Sequence, residues 1–324
     1  MTEPKKRRGC LGCSFPVLII VVVVFLALIV IGFLSGGIGQ KLLENYGINI
    51  SLPSWLISQF HEPHLPAPVL FHVLGLPITN TMIAGWITVV FLVVGSWLIT
   101  RRMELVPGRM QGVFEYILGW IYDFCVSVAG EKNGRTFFPV VCTIFLFVGF
   151  NAWLSLIPGF ASIQIHIHGE EFELLRGANT DLNTPLAVAF VSFAFVAYYG
   201  LKMTGMAWVR QYINFGPFFR SVGQLFKGKL NFMGLFSGVI GIAIGFLELL
   251  SMFIRIVSFT FRLFGNMTAG EILIMVAAFL LPMAIGWAVY GLELFIGFIQ
   301  ALVFSGLTLA FVTMAVTSHE EESH

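Results

Sequence analysis

Arg262 stands deep inside an apolar stretch, with long runs of Phe, Ile, Leu, Met and Ala on both sides. A guanidinium keeps its proton wherever the fold puts it. At the centre of a bilayer helix that charge costs about 2.5 to 3.5 kcal/mol on insertion scales. Lipid cannot satisfy such a group, so the face that carries it must turn to protein or water. Snorkelling does not solve the problem, because the side chain is too short to reach a headgroup from so far inside the segment.

The residues around it form a pattern. Glu248, Ser251, Arg255, Ser258, Arg262 and Asn266 follow one another at steps of three or four, which on a helix is one polar stripe. A second long apolar segment, Leu292 to Val316, repeats the pattern more sparsely with Glu293 and Gln300, two helical turns apart. Two such helices side by side enclose a polar seam across a membrane.

Composition agrees. With 57% hydrophobic and 11% charged residues and a mean hydropathy of +0.90, this is an integral membrane protein with no stretch suited to a separate soluble domain. The expected fold class is all-α, a polytopic helical protein with about six membrane segments. Residues 1–36 read as an N-terminal signal anchor, because the apolar run 15–34 follows Lys5, Lys6, Arg7 and Arg8 and exceeds a usual secretory h-region. Residues 37–78 read as an outside segment with proline, histidine and short amphipathic pieces. The main domain, 79–324, opens with a membrane helix at Thr79 to Thr100.

An amphipathic helix from Pro107 to Ala129, apolar at Phe114, Ile117, Leu118, Ile121 and Phe124, then lies on the inner surface. Crossings follow at Phe137 to Ile157 and at Thr184 to about Leu201. The segments 232–281 and 283–316, punctuated by Pro282, are too long for two upright crossings. Strict alternation between Ser162 and Glu173 predicts a short outside hairpin. Its His166, His168, Glu170 and Glu171 read as paired polar residues on a solvated face rather than as a metal site.

Basic residues set the orientation. Lys5, Lys6, Arg7 and Arg8, then Arg101, Arg102, Arg109, Lys132 and Arg135, then Lys202, Arg210, Arg220, Lys227 and Lys229 fall on one side, against Lys41 and Arg176 on the other. The positive-inside rule therefore puts the N-terminus in the cytoplasm. Cys10 and Cys13 have no second pair for a metal site, and Cys125 and Cys142 read as small buried apolar residues.

Three runs carry a specific resemblance: Arg262-Leu-Phe-Gly-Asn-Met-Thr-Ala-Gly-Glu271, Asn179-Thr-Asp-Leu-Asn-Thr-Pro-Leu-Ala187 and Gln300-Ala-Leu-Val-Phe304. In this order along the chain they resemble subunit a of the F-type, rotary ATP synthase membrane sector. The resemblance implies that the long pair 232–316 is tilted and curved around a rotor ring. It implies a stator proton channel, not catalytic by itself, with two offset half-channels that meet the ring of carboxyl-bearing subunits.

By the same resemblance Arg262 is the essential stator charge, flanked by Asn266 and Gln300. Glu271 and Glu293 line the outside half-channel, where many relatives pair an acid with a histidine. Glu248, Ser251, Arg255 and Ser258 line the inside one. Asn151, Asp181 and Asn183 match polar positions of the outside entrance, although Leu154 stands where some relatives carry aspartate.

The implied partners are the c-subunit ring, the b-subunit peripheral stalk, the rest of the F-type ATP synthase and the lipid bilayer. The implied ion is H+, with Na+ left open. The implied location is a bacterial inner membrane with both termini cytoplasmic. Neither cofactor, metal nor nucleic acid is expected. The competing function is a secondary ion-coupled transporter in which Arg262 binds an anionic substrate or a coupling carboxylate. It is disfavoured because the sequence shows no duplicated halves.

Overall fold

The computed structural model describes residues 15–47, 67–73, 75–101, 103–104, 106–157, 164–167, 170–205, 208, 232–280 and 286–317. Five helices among them are long and apolar enough to cross a membrane, spanning Asn80–Thr100, Arg109–Ser155, Asn183–Met203, Val239–Leu280 and Gly286–Val316. With the 21-residue apolar helix α1, Phe15–Ser35, they make the chain a multi-pass helical membrane protein. Pro282, the basic loop from Arg210 to Lys229, Cys10, Cys13 and the C-terminal tail lie outside the described residues.

The chain divides into two compact units, one of Met1–Leu65 with Ala269–Phe295 and the other of Pro66–Thr268 with Ile296–His324. In the first, α1 is followed at Gly36 by the short helix α2, Gly37–Asn45. These glycines serve close approach. A Cβ on Gly36 would strike the carbonyl of Leu280, and one on Gly37 would enter the Phe279 ring.

The second unit begins with a hairpin, β1 at Val69–Val73 and β2 at Leu76–Thr79, turned at Gly75 with φ 84°. The alternation there is short and Pro77 interrupts it, so this stretch had read only as an outside segment. Thr79 then caps α3, Asn80–Thr100, its hydroxyl accepting from the Met82 N–H at 3.4 Å. Such a cap satisfies one of the first-turn donors.

The next element, α4, spans Arg109–Ser155 but is broken at Gly130, φ 76° and ψ 166°. Only glycine takes that conformation without strain. The chain doubles back there, since Tyr122 meets Phe138 at 5.5 Å between ring centroids, and Trp120 meets Phe145 at 6.0 Å. Gly134 lies against the backbone of Cys125 and Val126, where a Cβ would not fit. The expected amphipathic helix is the first arm of this hairpin, and its Ile121 and Cys125 are buried in the core. The second arm starts well before the expected Phe137, because the polar run around Glu131 and Lys132 is its first turn rather than a loop.

The expected hairpin is present as β3, Gln164–Ile167, paired antiparallel with β4, Glu170–Glu173. A 3-10 turn at Ala178–Thr180 leads into α5, Asn183–Thr204. The long helices are α6, Phe232–Leu280, and α7, Gly286–Thr317. Within the second unit one core joins α4, α5, α6 and α7, with Phe137, Val141, Val148, Leu263, Ala301, Leu309 and Val312 almost fully enclosed. Close approach also marks Gly297, where a Cβ would crowd that of Ala152.

Candidate functional site

The core side of α6 is held by Phe259, Leu263 and Met267. That anchorage leaves Arg262 and Asn266 half-buried at the edge of the packed face, while Ser258 and Arg255 are exposed. Phe259 packs against Phe304 at 4.7 Å and Phe311 at 5.9 Å between ring centroids, tilted by 52° and 31°, both from α7. The two arginines flank this aromatic group. The Arg262 guanidinium lies 5.9 Å from the Phe259 ring, and that of Arg255 lies 4.2 Å from the Phe311 ring. A ring face attracts a cation through its quadrupole, more so where water is scarce.

On the Arg255 side, α5, α6 and α7 enclose a cavity of about 220 Å3. Glu248, Arg255, Ser192 and Trp208 line it together with apolar groups. It thus brings together Glu248 and Arg255, two of the six residues of the polar stripe and two of the four expected along the inside half-channel. Ser251 is half-buried and Ser258 exposed, and neither lines it. Next to it the Ser192 and Thr308 hydroxyls are hydrogen-bonded at 2.7 Å and fully enclosed.

A second polar group ties α3 and α4 to the turn before α5. Asn151 donates through Nδ2 to Asn179 Oδ1 at 3.3 Å and accepts from the Ala178 N–H at 3.3 Å. Thr81 donates to Asp181 Oδ2 at 3.1 Å and is itself 2.8 Å from the Thr79 hydroxyl. Asn183 donates through Nδ2 to both carboxylate oxygens of Asp181, at 3.2 and 3.3 Å. Asn151, Asp181 and Asn183 are therefore gathered at one end of the second unit, each with hydrogen-bond partners. Among the described residues, Asn179 Nδ2 is buried without one.

In the first unit Glu293 is buried, with 6% of its surface exposed. Its carboxylate rests on the backbone of Gly270, where any Cβ would overlap both oxygens. Gly270 is the residue before the half-buried Glu271, so the two acids of the sequence pattern come to neighbouring places. Gln300 is half-buried on α7 and Leu154 half-buried on α4.

A model of the family described as ATP synthase A chain matches residues 82–313, a span that holds all of these side chains except Thr79 and Thr81. The chain belongs to the ATP synthase subunit a family. ATP synthase subunit a of Gloeobacter violaceus is 32% identical over 246 residues, covering 75% of this chain and 85% of that protein. The Desulfosudis oleivorans subunit a is 29% identical over 264 residues, covering 79% and 97% respectively. Subunit a is a non-catalytic membrane component of the ATP synthase complex. The matched span begins beyond α1 and α2, so the N-terminal helices are additional to it.

Thr81, Asn179, Ser192 and Thr308 were not among the sequence candidates for this subunit a. Asn179 stood inside a quoted run, but nothing in the sequence pairs it with Asn151. The other three are hydroxyls at the start of or inside apolar helices, and an isolated hydroxyl gives no sign of its partner.

Proposed function

We propose that the chain is the stator proton channel of an F-type ATP synthase, with Arg262 as the fixed charge between two offset half-channels. The observation that carries the reading is a charge which cannot be neutralised, held at the edge of the α6 core between Phe259 and the polar stripe. A carboxyl of a c-subunit ring that passed such a charge would be held ionised, and a direct proton leak would be opposed. Asn266 and Gln300 would orient the guanidinium by hydrogen bonding. The cavity with Glu248 and Arg255 supports an inside half-channel, to which Ser251 and Ser258 would also belong. The juxtaposed Glu293 and Gly270–Glu271 segment supports an outside one, and by the sequence resemblance Asn151, Asp181 and Asn183 would belong to the outside route.

The partners on this reading are the c-ring, the b-subunit peripheral stalk and the rest of the synthase, and the ion is H+, with Na+ as the other candidate. On this reading the membrane is a bacterial inner membrane with both termini cytoplasmic, an orientation that the basic loops support. Residues 1–36 act as the signal anchor, 37–78 form the outside segment and 79–324 the channel domain.

Arg262→Ala tests the proposal. It should abolish ATP-driven proton pumping while the protein stays in the membrane, because loss of a desolvated charge eases insertion. Arg262→Lys should fail too, since an ammonium lacks the planar fork and loses its proton when buried. Pumping that survives in either variant at the parent rate would end the reading.

A further inference from the structure

We infer that the groove between α3 and the start of α4 is a binding site for one zwitterionic phospholipid, of the phosphatidylethanolamine type. The groove, of about 870 Å3, is lined on α3 by Phe91, Leu92, Gly95, Leu98 and Ile99, and across from them by Phe114 and Ile117. At its other end stand Glu104, Gly108 and Arg109.

Its length selects the occupant. Helix α3 has 21 residues, about 31 Å at 1.5 Å per residue, which matches the roughly 30 Å hydrocarbon core. Its end at Thr100 therefore marks a membrane surface. The lining on α3 runs inward from Ile99 only as far as Phe91, about 12 Å of helix axis. There Phe91 meets Phe150, another lining residue, at 5.8 Å between ring centroids. The apolar slot is thus about one leaflet deep. A spanning partner helix needs the whole thickness, whereas an acyl chain needs one leaflet.

The mouth selects the headgroup. Among the described residues that line it, it offers one cation and one anion, Arg109 and Glu104, both exposed. The Gln111 amide ties Glu104 to α4 by donating to the Glu104 carbonyl at 3.0 Å and accepting from the Glu104 N–H at 3.2 Å, and it also donates to the Glu115 carboxylate at 2.7 Å. Gly108 begins α4 without a side-chain cap, so first-turn N–H groups of the helix add to Arg109 as donors for a phosphate. The Glu104 carboxylate suits an ammonium. A purely anionic headgroup would meet that carboxylate as a like charge.

The experiment uses the intact ATP synthase in native-lipid nanodiscs doped with phosphatidylethanolamine carrying a photoactivatable diazirine midway along one acyl chain. Cross-linked peptides are mapped by mass spectrometry. Adducts should concentrate on Phe91 to Ile99 and on Phe114 to Ile117. They should be competed several-fold better by unlabelled phosphatidylethanolamine than by phosphatidylglycerol, and fall several-fold in a Glu104→Gln, Arg109→Gln double variant. Labelling at Val93, exposed on α3 and outside the groove, should be unchanged and shows that the variant is folded in the bilayer.

Three results would overturn the inference. One is an absence of groove adducts, another is equal competition by the two lipids. The third is a disulfide from Leu98→Cys to a cysteine on another subunit's helix, which would mean that protein fills the slot.

Discussion

Replacing Gly270 by alanine separates the position of the Glu293 carboxylate from the stability of the helix beneath it. A helical Gly→Ala change normally stabilises by about 1 kcal/mol, because glycine gives up more backbone freedom than alanine on folding. Here the new methyl would occupy the space of the Glu293 carboxylate oxygens. That group is the far end of a flexible side chain, so it moves rather than the helix, and a displaced rotamer costs about 0.5 to 1.5 kcal/mol. The two effects nearly cancel, and the membrane sector should melt within about 2 °C of the parent.

The carboxylate nevertheless moves by the thickness of a methyl group, and transfer between fixed groups is sensitive to displacements of that size. Passive proton flux through the membrane sector stripped of its soluble head should therefore fall roughly tenfold. Gly119→Ala is the control, since nothing lies within 4 Å of a Cβ there. It should leave flux unchanged and raise stability slightly. Flux at the parent rate in Gly270→Ala, with melting also unchanged, would show that the place of the Glu293 carboxylate does not matter to transport.

In the same flux assay, Glu271→Gln and Glu293→Gln should each slow transport, and the double change should nearly stop it; parent flux in the double variant removes both acids from the path. Asn151→Ala strips the Ala178 N–H and Asn179 Oδ1 of their bonds to the Asn151 amide, at about 2 to 6 kcal/mol for two buried groups. It should lower the melting temperature of the purified sector measurably, and an unchanged melting curve would show that the Asn151 bonds are dispensable.

The helices were legible because lipid makes hydropathy and backbone satisfaction the same requirement. Thr79 to Thr100 was expected, and Asn80–Thr100 is found with Thr79 as its cap. The pair 232–281 and 283–316 is found as α6 and α7. The hairpin of Gln164–Ile167 with Glu170–Glu173 followed from strict alternation. The Gly130 reversal did not, since a polar helical turn at Glu131 to Arg135 carries the same hydropathy as a loop.

Of the candidate site, the stripe was legible from spacing alone, whereas the pairing of Glu271 with Glu293 came from the resemblance. What spacing leaves unstated is contact across the sequence. Thr81 and Asp181 are a hundred positions apart, and Ser192 and Thr308 still farther. Nor does it show which stripe members share an enclosed space, as Glu248 and Arg255 do while Ser251 does not.

The Ser192–Thr308 bond has a mechanical consequence. A helix that slips by one residue advances about 1.5 Å and turns about 100°, so any screw motion of α7 would carry the Thr308 hydroxyl, with its own bond to the Phe304 carbonyl, away from α5 and strip the buried Ser192 hydroxyl of this partner. With Phe259 wedged between Phe304 and Phe311, sideways rolling is opposed as well. Height and azimuth of this part of α7 are thereby indexed to α5, so a tangential load on its outer surface is borne as bending of a coupled beam instead of as slippage.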